Sequence, residues 1–210
     1  MTKTSGRDEA ARLALLGAKE ASLYAAGWQA IAGLDEAGRG PLAGPVVAAA
    51  VILPVGLLLY HLNDSKKVHG SVRLALEAQI KRESVWAIGE ASHLEVDEYN
   101  IVGATKLAMQ RALDALRVRP DYLLLDAISL PVQLPQESII KGDAKVACIS
   151  AASILAKTYR DRQMEEWDKV YPMYGFKQHK GYPTKMHREK VLEIGPCPIH
   201  RRTFLKFTEK

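Results

Sequence analysis

Apolar positions recur along this chain with two periods, and the switches between them mark its elements. Over residues 7–26, Leu13, Leu16, Leu23 and Tyr24 fall at roughly helical spacing, with Gly27 as the residue after the C-cap, so the pattern predicts a helix. Residues 30–35 predict a first strand. Residues 46–53 are apolar on both faces and predict a second, central strand. A polar loop follows, then a helix over 71–81 with Ser71 as N-cap. Residues 85–91 predict a third strand. Residues 103–117 predict a helix with Leu107, Ala108, Leu113 and Leu116 on one side, closed by Arg119-Pro120. Residues 121–126 are a short apolar strand ending in an acid, and Pro131 and Pro135 mark a loop. Residues 144–168 predict a long helix whose first half is crowded with Ala and Ser, which permits close packing on a sheet. An aromatic, Lys- and His-rich loop spans 171–182, and Pro183 opens a last helix to about residue 194.

Strands come early, and helices intervene between the later ones. This predicts an α/β domain: a mixed sheet with helices on its faces. The 210 residues suit one domain with a sizeable core. Residues 1–28 are expected to form a helical extension that packs as an appendage, and residues 29–210 the main domain, including a C-terminal helical region.

Residues 40–60 lack charge and are long enough to cross a membrane. Pro41, Gly44, Pro45, Pro54 and Gly56 interrupt them, and their β-branched core suits a strand, so no membrane association is expected. Lys3, Arg7, Asp8, Glu9 and Arg12 argue against a signal peptide. Cys148 and Cys197 have neither metal-ligand nor redox spacing, and a reducing cytoplasm is expected. The net charge of +5 and pI of about 9.1 lean weakly toward a polyanionic partner.

The candidate chemistry starts at Asp35-Glu36, followed by the Gly38-Arg39-Gly40 turn. On a strand these two acids point to opposite faces, and both serve one site only if the backbone turns at Glu36. Taken alone, the stretch reads slightly better as an acidic strand end entering a hairpin, because Asp, Glu and Gly crowd ordinary turns. Asp126 and Asp143 also lie at the edges of apolar elements. Four converging carboxylates repel one another, and divalent cations relieve the repulsion; hard oxygen ligands suit Mg²⁺ or Mn²⁺. The sequence has no phosphate-binding Gly-x-x-x-x-Gly-Lys, no His-Glu-x-x-His and no Gly-x-Ser-x-Gly. The six histidines read as surface or packing residues. Asp161 and Glu165 read as surface acids one helical turn apart, and Asp64 as a loop ion pair.

Further stretches join Gly33 to Pro45 in a recognisable order. They are Leu62-Asn63-Asp64-Ser65-Lys66-Lys67, Leu125-Asp126, Lys141-Gly142-Asp143-Ala144-Lys145 and residues 150–157. Tyr174-Gly175-Phe176, His179-Lys180-Gly181-Tyr182-Pro183-Thr184 and His200-Arg201-Arg202-Thr203-Phe204 complete the set. Together they resemble bacterial ribonuclease HII, the type 2 ribonuclease H, over nearly all of residues 30–205. Residues 55–61 match no motif. The resemblance implies a ribonuclease H-like fold with Asp35, Glu36, Asp126 and Asp143 as catalytic, metal-binding acids. It implies hydrolysis of the ribonucleotide-containing strand of RNA–DNA hybrids, and cleavage on the 5′ side of single ribonucleotides in duplex DNA. It also implies that Gly38, Arg39, Gly40 and Tyr182 read the 2′-hydroxyl. Lys66, Lys67, Lys180 and Arg39 are candidate phosphate contacts.

Two metal ions ~4 Å apart would leave 5′-phosphate and 3′-hydroxyl ends. A junction resolvase or a non-catalytic nucleic-acid-binding domain of the same fold are the alternatives. The first has no 2′-hydroxyl to read; the second is expected to lack an acid. A monomer is expected.

Overall fold

Strand β1 (Ile31–Ala37) is the strand on which the other elements are arranged, and its first five residues are buried. The structure, a computed structural model, describes residues 6–65 and 68–208. Strand β2 (Val46–Ile52) runs antiparallel to β1 and is buried at every position, as its unbroken apolar run requires. Strand β3 (Val85–Ala91) pairs antiparallel with β2, while β4 (Tyr122–Asp126) pairs parallel with β1. A fifth strand, β5 (Gln136–Ile139), pairs parallel with β4. The sequence pattern predicts only loop there, because Pro131 and Pro135 precede a segment with no fully buried residue to signal it. Among the described residues the order is β3-β2-β1-β4-β5 in one mixed sheet.

Helices cover both faces. Alternation sends Ala32, Leu34, Leu123 and Leu125 to one face, where they meet helix α4 (His93–Asp114) through Val96, Ala104, Ala108 and Ala112. This helix starts ten residues before its predicted start. Ser92 and Glu95 form a reciprocal capping box, with Ser92 Oγ accepting Glu95 N–H at 3.2 Å and Glu95 Oε2 accepting Ser92 N–H at 2.8 Å. The helix kinks at Asn100 (φ 57°), whose Oδ1 accepts the N–H groups of Val102 and Gly103 and so caps the second segment anew. The Ser-x-x-Glu signal stands in the sequence; the Asn100 break masks its continuity with the segment that follows.

The opposite face carries helix α5 (Ala147–Val170). The predicted N-terminal helix is two, α1 (Gly6–Leu16) and α2 (Ala18–Ala25), divided at Gly17. Rather than hanging off the domain, they bury Leu13, Leu16 and Leu23 in the same cluster as Ile31 and Leu155. Glu20 is buried and its Oε1 accepts Cys148 N–H at 2.7 Å, tying α2 to the start of α5. Helix α3 (Gly70–Glu83) flanks α5. Helices α6 (Phe176–His179) and α7 (Lys185–Ile194) close a smaller cluster around Met164, Phe176 and Tyr174. Among the described residues no helix is long and apolar enough to cross a membrane.

The contact that sets the site is between β1 and α5. A Cβ placed on Gly33 would lie 2.3 Å from the Cys148 carbonyl carbon, so helix backbone rests directly on strand backbone. Gly33→Ala should therefore lower stability by about 3 kcal/mol, read from the denaturant midpoint. A loss below about 0.5 kcal/mol would contradict so close an approach.

Candidate active site

The β1–β4 ladder ends at Leu34 opposite Leu125, and the next residues in each strand are Asp35 and Asp126. Both continue the face that meets α5. Asp143 comes from the 3₁₀ turn Gly142–Ala144, which leads into α5. Asp35, Asp126 and Asp143 each offer an oxygen, and these oxygens lie within 4.8 Å of one another. Asp126 Oδ1 accepts Gly142 N–H at 2.7 Å, and Asp35 Oδ1 accepts Glu36 N–H at 2.7 Å. Ser150 Oγ donates to the Asp143 carbonyl, which pins the turn to the first turn of α5.

Asp35 is 4% exposed. Burial pushes its carboxyl well above the usual carboxylate range, and the charges of Glu36 and Asp126 push it the same way. Three acids whose oxygens sit this close, on rigid strand and helix ends, fit a divalent cation. They line a cleft of about 610 Å³ with Glu36, Gly38, Arg39, Gly40 and Tyr182.

Glu36 reaches the cleft although the strand continues through Ala37 without turning at Glu36. Beyond Leu34, β1 has no β4 partner, so the cleft opens where the ladder stops. Glu36 is not one of the converging triad; its Oε1 lies 3.3 Å from Arg39 Nη1.

The two glycines of the turn differ. Gly38 has φ +97°, and a Cβ there would lie 2.1 Å from Arg160 Nε and 2.7 Å from the Pro45 carbonyl. Gly40 has no positive φ, and its Cβ would make ordinary contact at 3.5 Å with the Tyr182 ring. Tyr182 is 40% exposed, its ring beside Gly40. Lys66 and Lys67 lie outside the described residues. Lys180 pairs with Glu165 at 2.7 Å and is not among the residues lining the cleft. Asp161 pairs with Lys157 at 2.5 Å.

Four residues escape the sequence reading. Lys157 and Arg73 line the cleft as cations beside the acids. Lys157 sits on the α5 face of Ser150 and Ser153, spacing that the sequence displays. Arg160 and Arg201 are 1% and 0% exposed. Arg201 donates to the carbonyls of Gly38, Arg39, Pro41 and Gly44, at 2.7–3.1 Å. Arg160 donates to those of Ala43, Pro45 and Lys180, at 2.9–3.1 Å. Burial lowers both guanidinium groups, Arg160 to about 10 and Arg201 to about 9. Two buried cations solvated by backbone carbonyls thus shape the Gly-Arg-Gly loop, and Arg160 ties it to the turn carrying Tyr182. A residue type that is almost never buried gives no such signal in sequence.

Residues 32–207 match the family model described as Ribonuclease HII. The chain belongs to the ribonuclease HII family. A ribonuclease HII of Moorella thermoacetica is 52% identical over 206 residues, spanning 97% of this chain and 99% of that one. The ribonuclease H2 of Pyrococcus horikoshii OT3 superposes with a TM-score of 0.73 at 26% identity, covering 86% of this chain and 97% of that one. Bst-RNase HIII, described in complex with Mn²⁺, shares the fold at a TM-score of 0.62 and 16% identity, over 99% of this chain and 70% of that one. The ribonuclease H-like fold is thus shown. Membership makes this protein a nuclease of the ribonuclease H type, acting on RNA–DNA hybrids and dependent on divalent metal.

The raised Asp35 has a consequence for stability without metal. The folded protein holds this proton more tightly than the unfolded chain does. That contribution is complete below the ordinary value of 3.8 and is lost as pH rises through the raised folded value. At neutral pH, Asp35→Asn should therefore raise the Tm of metal-stripped protein and flatten its pH dependence. A lower Tm would show that the carboxylate is stabilising as it stands. Arg201→Met should cost at least about 3 kcal/mol, because several buried carbonyls lose their donor. A loss under about 1 kcal/mol by chemical denaturation would contradict the clamp.

Proposed function

We propose that this protein hydrolyses the ribonucleotide-containing strand of RNA–DNA hybrids and also cuts on the 5′ side of single ribonucleotides embedded in duplex DNA. The observation that carries this reading is one cleft holding the Asp35, Asp126 and Asp143 oxygens together with Gly38, Gly40 and the Tyr182 ring. The acids supply a place for phosphodiester chemistry; the glycines and tyrosine supply a surface that can meet a sugar.

Asp35, Asp126 and Asp143 hold divalent cation, Mn²⁺ or Mg²⁺, with Glu36 beside them. Two such ions, when bound, supply an activated water and stabilisation of the leaving 3′ oxygen. A cation held there would require Asp35 in its ionised form, against the burial that raises its carboxyl. The backbone at Gly38, Arg39 and Gly40 approaches the ribose: Gly40 leaves open the space beside the Tyr182 ring, and Gly38 leaves room for the Arg160 side chain that holds the loop. The Tyr182 ring packs on the sugar and its hydroxyl bonds the 2′-oxygen, the group that separates RNA from DNA. Arg39 contacts phosphate, as do Lys66 and Lys180; Lys180 then exchanges its Glu165 partner for the backbone of the substrate. Lys157 and Arg73 lend positive charge to the acid cleft. The cleft is complete within one chain, which supports action as a monomer. The buried free thiols of Cys148 and Cys197, and the bacterial relatives, support a cytoplasmic setting.

A duplex with one ribonucleotide, incubated with Mn²⁺, should yield 5′-phosphate and 3′-hydroxyl ends, and EDTA should stop the reaction. A 2′,3′-cyclic phosphate would overturn the mechanism. Replacing any of Asp35, Glu36, Asp126 or Asp143 by its amide should lower kcat by at least about 10²-fold, the scale of losing one transition-state contact. Tyr182→Phe should lower kcat/KM by about 2- to 12-fold, the value of one hydrogen bond, and Tyr182→Ala by more. Wild-type cleavage by Tyr182→Ala would return Tyr182 to a packing role.

A further inference from the structure

Tyr182 sits on a tight turn in which Lys180 and Gly181 both have positive φ. Three buried histidines stand behind it: His179 is 8% exposed, His187 0% and His200 1%. The Phe176 ring lies against all three. His179 Nδ1 accepts Gly181 N–H at 3.1 Å, and its Nε2 is 2.8 Å from the Tyr174 carbonyl. His187 Nδ1 is 2.9 Å from the Tyr182 carbonyl, which also accepts Thr184 N–H. His187 Nε2 is 3.0 Å from His200 Nε2. His200 Nδ1 accepts Cys197 N–H at 3.0 Å, with Cys197 Sγ at 3.1 Å and the Cys197 carbonyl farther, at 3.3 Å.

These partners assign every ring proton. A neutral imidazole has one donor and one acceptor nitrogen. His179 Nδ1 faces an amide, so its proton is on Nε2 and goes to the Tyr174 carbonyl. His187 Nδ1 faces a carbonyl, so it carries the proton and Nε2 is bare. His200 Nδ1 faces an amide, so its proton is on Nε2 and is donated to His187. A further proton on any ring would set donor against donor: His179 against Gly181 N–H, His187 against His200, His200 against Cys197 N–H. The charges facing the group are Asp168 of α5 toward His179 and Arg202 of the tail toward His200. The Cys197 thiol and the Tyr174 ring complete its surroundings. Burial outweighs them and lowers all three rings, His187 and His200 to about 4.

We propose that His200, His187 and His179 are positioning residues for ribose recognition: a neutral relay from His200 through His187 to the Tyr182 carbonyl, with neutral His179 stacked on His187 and accepting Gly181 N–H, together holding the turn that presents Tyr182 beside Gly40. The role rests on the proposed reading of Tyr182 as the residue that meets the ribose. His187 is the link that touches both the relay and Tyr182. His187→Phe keeps a ring of similar size and loses both hydrogen bonds. His187→Asn keeps a donor near Nδ1 for the Tyr182 carbonyl.

Two measurements decide it. Ring ¹⁵N NMR of the metal-free protein should show Nε2–H tautomers for His179 and His200, an Nδ1–H tautomer for His187, and no titration of His187 or His200 between pH 6 and 8. Kinetics on a single-ribonucleotide duplex should show His187→Phe losing about tenfold in kcat/KM, the scale of a lost buried hydrogen bond. The same substitution should cost less than about twofold in a Tyr182→Ala background, and His187→Asn should recover most of the loss. Other tautomers, titration in that window, or equal losses in both backgrounds would overturn the relay. If His187→Phe does not fold, His187→Asn and the NMR tautomers carry the decision. A wild-type protein inert on the duplex would instead overturn the functional reading, while the NMR result still judges the relay.

Discussion

Mutual repulsion among Asp35, Asp126 and Asp143 is the constraint on which the rest of the structure depends. Their oxygens lie within 4.8 Å of one another, and Asp35 is almost wholly buried. A flexible chain would let such charges drift apart. Here Asp35 and Asp126 are carried by adjacent parallel strands, at the point where their ladder stops. Asp143 is pinned by Gly142 N–H on Asp126 and by Ser150 on its own carbonyl. The missing side chain at Gly33 lets α5 lie on β1 and brings the third acid within reach. Apolar burial on both faces of the sheet holds these acids together, and the stored repulsion is what a divalent cation relieves.

A second constraint shapes the other side of the cleft. Residues 38–45 have no regular structure apart from a single bridge from Ala43 to His200, and their carbonyls need donors. Arg160 and Arg201 satisfy them from beneath, and Arg160 also reaches the Lys180 carbonyl. Leu42 N–H donates to the Gly181 carbonyl and completes the link between the Gly-Arg-Gly loop and the Tyr182 turn. Acid cluster, loop and turn are therefore one mechanical unit, with Gly38 allowed no side chain because the Arg160 guanidinium already occupies that space.

Much of this was legible in the chain. The unbroken apolar run of β2 and the Ala/Ser face of α5 identify a covered sheet and the helix that covers it. The four acids stand out because each lies at or near the edge of an apolar element. What the pattern hid has physical causes. β5 is short, half exposed and preceded by two prolines, so it exists through its ladder with β4 rather than through periodicity. The early start of α4 is announced by Ser92 and Glu95 but interrupted at Asn100. Nothing in the pattern marks Arg160 and Arg201 as buried until the carbonyls around them are seen, and the histidine cluster joins residues up to 21 positions apart. The N-terminal leucines predict a helix but not that it enters the core.

The most direct test of the convergent acids is calorimetric titration of metal-free protein with Mn²⁺ in buffers of different ionisation enthalpy. Binding should release protons increasingly as the pH is lowered, because burial and the charges of Glu36 and Asp126 raise the Asp35 carboxyl and a bound cation requires it ionised. Asp126→Asn and Asp143→Asn should each weaken binding by at least about tenfold, the scale of about 1.4 kcal/mol. Binding of unchanged affinity in both variants, or proton release that does not grow as the pH falls, would contradict a site built on these three carboxylates.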